Sequence, residues 1–251
     1  MLILINSSKT MQASTPHGYS LSTSQQLAST EVLAAKLQQL SLSDTRSLMK
    51  LSDALAQKTY ATHQRLDIHD AENSGAAATT FQGDIYSQLR AKDWSDEDYD
   101  YANQHLRIIS GLYGALRPLD KIKPYRLELG CQLQVSTSKN LYDYWGSSIA
   151  DILPKQTPII NLLSEEYFRV IRPYKSDSDI ITPQFMTSRS ATNQPRFVAI
   201  HAKQARGAFA RWLITERMTT PSGMQKFRDM DYIYDEQSSK PHQPVFIKQQ
   251  N

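Results

Sequence analysis

Between His105 and Gly130 the chain reads HLRIISGLYGALRPLDKIKPYRLELG, and no other stretch limits the fold as much. An apolar pattern carried by Leu106, Ile108 and Ile109 runs into a tight turn, Gly111-Leu112-Tyr113-Gly114. A second short helical pattern follows over 115–119, then basic residues separated by Pro118 and Pro124. Two helices joined by a short glycine hairpin predict a helix-hairpin-helix within about 96–125. Such a unit grips nucleic-acid backbone without reading sequence. Glycine lacks a Cβ, so backbone N–H groups can approach a phosphate. The dipole of the second helix favours an anion at the same place. Arg117, Lys121, Lys123 and Arg126 supply long-range charge. The structural alternative is a glycine that merely ends a helix before a proline turn.

Overall charge is only mildly basic: net +3 over 251 residues. Its distribution says more. Residues 103–130 carry +3 and residues 196–217 carry +4, which leaves −4 for the rest. Cys131 is the only cysteine, so an intramolecular disulfide and a cysteine-rich zinc site are excluded. The start, MLILINSSK, has neither the basic region nor the apolar stretch of a signal peptide, and no run approaches the ~18 apolar residues of a membrane span. A cytoplasmic protein in a reducing compartment is expected, with no cofactor, no membrane and no obligate protein partner.

Leu2–Ile5 reads as a buried strand ended by Asn6. Helices are expected over 24–40, from Ser43 or Asp44 onward, after Phe81, from a Ser95 cap to Ser110, over 141–153, after Ser164 and over 203–218. The acidic run Asp96-Glu97-Asp98 suits a first helical turn and needs no metal. Strands are expected at 158–162, 232–234 and 245–248, and 179–186 with 197–201 reads as a hairpin around a polar loop at 187–195. Scattered strands among helices, without an internal repeat or long linker, predict a single α+β domain over 1–251, a mixed sheet surrounded by helices.

Three further groupings carry chemistry. Lys203, Arg206, Gly207 and Arg211 fall close to one face of a basic helix whose other face bears Phe209, Trp212 and Leu213. The readings are a solvated amphipathic helix or the wall of an anion-binding cleft. Gly207 in mid-helix costs ~1 kcal/mol relative to Ala, which points to close packing or ligand approach. Ser7, Ser8, Lys9 and Thr10 follow a strand, a frequent ligand position in α/β sheets, although no P-loop is present. Among the aromatics, Tyr113 at the hairpin tip is expected to be exposed and Trp145 to be core.

Several ordered blocks resemble one family. SGLYGALRPLDKIKPYRLELG is similar to the signature of the YaaA family of bacterial peroxide-stress proteins. The opening MLILINSSKT, FQGDIY at 81–86, LYDYWG at 141–146, INLLSEEYF at 160–168 and the AKQARGAFARW run resemble further blocks of that family in the same order. The resemblance implies a cytosolic DNA-binding protein of peroxide defence that limits iron-dependent oxidative damage. It also implies an unusual α+β fold with a helix-hairpin-helix beside a positive cleft. The expected partner is double-stranded or structurally distorted DNA. Its expected contacts are Gly111, Leu112, Tyr113, Gly114, Arg117, Lys121, Lys123, Arg126, Lys9, Lys203, Arg206 and Arg211. The first alternative is an enzyme acting on nucleic acid or nucleotides, with Lys9, Asp84, Glu165 or Lys203 in its site. The second is a small-anion or iron-handling protein. Convergence of Lys9, Asp84, Glu165 and the basic helix in one pocket favours the enzyme; cations along an open groove favour the binder.

Overall fold

In the computed structural model, which describes residues 1–188 and 194–249, Leu2–Ile5 forms the heart of the structure. The strands are β1 (Leu2–Asn6), β2 (Gly75–Ala76), β3 (Leu106–Ser110), β4 (Gly114–Leu116), β5 (Lys121–Ile122), β6 (Ile159–Asn161), β7 (Ile180–Ile181), β8 (Gln184–Ser188), β9 (Tyr232–Tyr234) and β10 (Val245–Gln249). The helices are α1 (Leu27–Gln38), α2 (Leu42–Met49), α3 (Asp53–Gln64), α4 (Ala77–Thr80), α5 (Asp84–Leu89), α6 (Asp96–His105), α7 (Leu141–Trp145), α8 (Ser148–Asp151), α9 (Glu165–Phe168) and α10 (Ala199–Thr215). A five-stranded sheet runs β4-β3-β1-β6-β7. In it β1 is parallel to both β3 and β6, β6 is parallel to β7, and β4 returns antiparallel to β3. Strand β1 is buried on both faces, which is why its four apolar residues do not alternate with polar ones. The expected α+β architecture, a mixed sheet with surrounding helices, is what forms.

A second sheet, β8-β10-β9, packs an aromatic cluster beneath α10. Phe185, Phe209, Phe227 and Phe246 meet with ring centroids 4.9–6.4 Å apart, mostly edge to face. The long helix α10 packs most closely against α5. Gly207 makes that approach possible, because a Cβ there would run into the Ile85 carbonyl of α5. Of the two reasons for a mid-helix glycine, close packing is the one realised.

The glycine turn departs from expectation. Helix α6 is capped by Ser95, as the sequence predicts, its hydroxyl accepting from Asp98 N–H, but the helix ends at His105. Leu106–Ser110 is strand, and Gly111–Tyr113 turns it back into β4. The helix-hairpin-helix expected within about 96–125 is therefore a helix followed by a β-hairpin. Periodicity cannot separate a strand buried on both faces from a short buried helix. The two isoleucines and the parallel edge of β1 decide it, with Ile5 opposite Ile108 and Asn6 opposite Ile109.

Two other expectations shift. The segment at 197–201 enters α10 at Ala199 instead of forming a strand; among the described residues, Arg196 alone bridges back to Thr187. Strand β8 pairs with β10, and residues 189–193 of the expected loop lie outside the described residues. Helix α2 is capped by Ser41, two residues before the expected start, through a box with Asp44. No helix among the described residues is long and apolar enough to cross a membrane.

One buried group gives the fold a pH dependence. His63 of α3 is fully buried, with Nε2 3.1 Å from the Arg126 carbonyl oxygen. Burial pushes its pKa down to about 4 from 6.5. Below pH 6.5 the unfolded chain takes up a proton that the folded chain refuses. Stability is thus lost as pH falls from 6.5 towards 4, by about 2–3 kcal/mol between pH 7 and 4.5. Urea unfolding at the two pH values should show this drop, and His63→Gln should lose that share of it. An equal drop in both proteins would contradict the assignment.

Candidate functional site at the sheet switch point

The chain leaves β1 towards β3 on one side and leaves β6 towards β7 on the other. Between the carboxyl ends of β1 and β6 the two loops diverge, and open α/β sheets bind ligands at such a point. A cleft of about 430 Å³ opens there. Its walls are the loop after β1 (Ser7–Thr10), the start of α5, the segment after β6 and one face of α10.

Asn6 locks the two strand ends together. Its Nδ2 donates to Ser164 Oγ at 2.9 Å, and its Oδ1 accepts from Ser164 N–H at 2.9 Å. Tyr86 of α5 donates to the Asn6 carbonyl at 2.8 Å, which pins that helix to the same point. Ser7 N–H donates to the Ile109 carbonyl and Ser7 Oγ donates to Tyr167 Oη at 3.3 Å. Burial holds the Tyr86 and Tyr167 phenols well above their usual pKa, so both remain protonated hydrogen-bonding groups at neutral pH.

Among the described residues, three cations and three carboxylates line the cleft: Lys9, Lys203 and Arg206 with Asp84, Glu128 and Glu166. Two carboxylates are committed. Glu128 pairs with Lys9 Nζ at 2.7 Å, and Glu166 accepts from Gly130 N–H at 2.9 Å. Arg206 differs from Lys9 and Lys203 in being part-buried, and it shares with Lys203 the lack of an ion pair among the described residues. Burial lowers the pKa of Arg206. A part-buried guanidinium without a counter-carboxylate can accept an anion from outside.

Of the residues expected from sequence, the cleft brings together Lys9, Asp84, Lys203 and Arg206. Glu165 faces away and forms a forked pair with Arg172 at 2.7 and 2.8 Å; its neighbour Glu166 takes the place in the cleft. Arg211 pairs with Asp229 at 2.7 Å. Eight residues beyond Lys203 it has rotated about 80° around the helix, enough to leave the cleft face. The cations of the segment 103–130 lie apart from the cleft lining, to which that segment gives Glu128. Arg117 binds the buried Asp120, and Lys121 donates to the His69 carbonyl. Lys123 is buried against Asp70 at 2.7 Å, and Arg126 is half-buried beside His63.

The glycine turn is also turned inward. Leu112 and Tyr113 N–H both donate to Ser110 Oγ, Ala115 N–H donates to Gln26 Oε1, and the Gly111 carbonyl accepts from Trp145 Nε1. Tyr113, expected to be exposed, is buried with its ring edge-on to Tyr125 and its Oη accepting from Lys123 N–H. Trp145 is core, as expected.

A family model described as Peroxide stress protein YaaA matches residues 1–238. The chain belongs to the YaaA peroxide-stress family. A UPF0246 protein of Salinispora tropica is 41% identical over 250 residues, spanning 100% of this chain and 95% of the relative. A UPF0246 protein of Acaryochloris marina is 35% identical over 253 residues, spanning 99% of this chain and 100% of the relative. In this YaaA-family chain, sequence reading missed Asn6, Glu128, Ser164 and Tyr167. The INLLSEEYF block carried the only local signal for the last two. Asn6 and Glu128 are placed by partners distant in sequence.

The Arg117–Asp120 pair makes a further expectation. Asp120 is fully buried and accepts from Arg117 and from Ser22 Oγ. Arg117→Ala leaves that carboxylate without its cation and should cost about 3 kcal/mol. A thermal melt at neutral pH checks this; an unchanged midpoint would contradict it.

Proposed function

We propose that this peroxide-stress protein binds DNA by taking phosphate backbone into the cleft between β1 and β6. One observation carries the reading: the part-buried Arg206, unpaired among the described residues, opens onto the same cleft as Lys9 and Lys203. A volume of about 430 Å³ accommodates a nucleotide-sized unit and not a duplex lying along it. The preferred DNA is accordingly a distorted or single-stranded region that can offer one strand. Cation-to-phosphate contacts orient the strand without reading its bases, so binding is sequence-tolerant.

The alternative is an enzyme acting on a nucleotide in the same place. Asp84 and Glu166 beside Lys9 and Lys203 favour it, since acid and basic groups share one confined site.

Fluorescence anisotropy with single-stranded, bubble and duplex DNA over a salt series separates the readings. With about one to two phosphates engaged in a nucleotide-sized site, the log–log salt slope for single-stranded DNA is expected near −1. A flat salt response would contradict the DNA reading. Gel analysis of the same mixtures would reveal turnover if the site is enzymatic.

A further inference from the structure

Arg206 borders a second cleft as well as the first. This one, of about 570 Å³, lies beyond the carboxyl end of β6 and includes Asn161, Phe168, Thr182, Gln184 and Gln243. The segment after β6 is the partition between the two. Leu163, Glu165 and Phe168 face the second cleft, while Ser164, Glu166 and Tyr167 face the first. Among the described residues, only Arg206 lines both.

The two clefts differ in chemistry. Asp84, Glu128, Glu166 and the three cations make the first one ionic. The second is richer in neutral hydrogen-bonding groups. Asn161 Nδ2 donates to Thr182 Oγ1 at 3.1 Å, Gln184 Nε2 donates to the Thr182 carbonyl, and the exposed Gln243 side chain makes no hydrogen bond among the described residues. Of its charged members, Glu165 and Arg172 pair with each other, Asp177 stands exposed at the margin and Arg206 is the one shared with the first cleft; the Arg172 guanidinium lies 4.7 Å over the Phe168 ring. Amide and hydroxyl groups beside a planar cation–aromatic pair suit a nucleobase and its sugar more than a second phosphate.

We propose that Arg206 takes a phosphate joining two nucleosides, one seated in each cleft, so that the ligand unit is a two-nucleoside phosphodiester or pyrophosphate. This rests on the phosphate reading of the first cleft and names the unit recognised there. The same unit occurs as a step of a DNA strand and as a free dinucleotide.

Calorimetric titration of the full chain tests it with three probes. They are thymidine 5′-(methyl phosphate), with one nucleoside and one negative charge; dithymidylate d(TpT), with two nucleosides and the same charge; and NAD⁺ as a free dinucleotide. Seating a second base should make d(TpT) bind about tenfold more tightly than the methyl ester. Gln243→Trp, which fills the second cleft from an exposed position, should cancel that gain. NAD⁺ binding more tightly than d(TpT), with the same sensitivity to Gln243→Trp, would support the shared unit and assign it to a free dinucleotide. Equal affinity for the methyl ester and d(TpT), with no advantage for NAD⁺, would overturn the two-cleft unit and leave the phosphate site standing. Absence of binding by all three would overturn the phosphate site together with it. The comparison of probes on the unaltered protein decides the matter without the variant.

Discussion

Arg206→Gln should weaken DNA binding tenfold to a hundredfold, roughly the worth of a charge-assisted contact to phosphate in a part-buried site. The salt slope should become shallower by about one phosphate contact. Stability should move the other way or stay put. Burial lowers the pKa of the Arg206 guanidinium, and among the described residues it has no counter-carboxylate, so its charge is a cost to the folded state. A neutral amide removes that cost. Weaker binding with an unchanged or higher melting temperature marks a residue kept for a ligand. Loss of binding accompanied by a lower melting temperature would instead make Arg206 a packing residue. The measurement is anisotropy across a salt series, with melts on the same samples.

Gly114→Val should act on the fold first. Gly114 has φ +71°, where a β-branched side chain is strained. A Cβ there would also run into the Gln26 amide and approach the Trp145 ring. That amide accepts from Ala115 N–H at 2.8 Å in a buried setting, and moving it leaves the donor unpaired. Strain and lost bonding together should cost about 3–5 kcal/mol, which lowers the melting temperature by roughly 10 °C for a chain of this size. DNA binding should fall only in proportion to unfolded protein. A stable Gly114→Val protein that has lost its affinity would return the glycine turn to the position of a phosphate cradle.

These two residues show what could be read from the chain alone. The α+β class, β1, the loop after it and the amphipathic α10 were legible, because each rests on a local pattern: four apolar residues ended by Asn6, or cations on one helix face and aromatics on the other. Lys9, Lys203 and Arg206 were legible for the same reason, and Asp84 through the FQGDIY block that resembles the family. The glycine turn misleads because Gly-x-x-Gly with nearby cations has the same local appearance whether its amides face solvent or bond to Ser110 and Gln26. Strand β3 misleads because burial on both faces erases the alternation that identifies a strand. The reciprocal Asn6–Ser164 bonds and the Lys9–Glu128 pair join residues more than a hundred positions apart, and nothing local announces them. The basic segment at 103–130 looks like a nucleic-acid surface until its acidic partners are placed. Asp120 and Asp70 then account for Arg117 and Lys123.

The two basic regions therefore make opposite claims on the same ligand. Backbone amide chemical shifts, followed during titration with a short single-stranded DNA, distinguish them directly. Changes are expected at Ser7–Thr10, Ser164–Tyr167 and Lys203–Gly207, around the switch-point cleft. Changes confined to Gly111–Gly114 and to the backbone from Arg117 to Arg126 would contradict the cleft as the binding site.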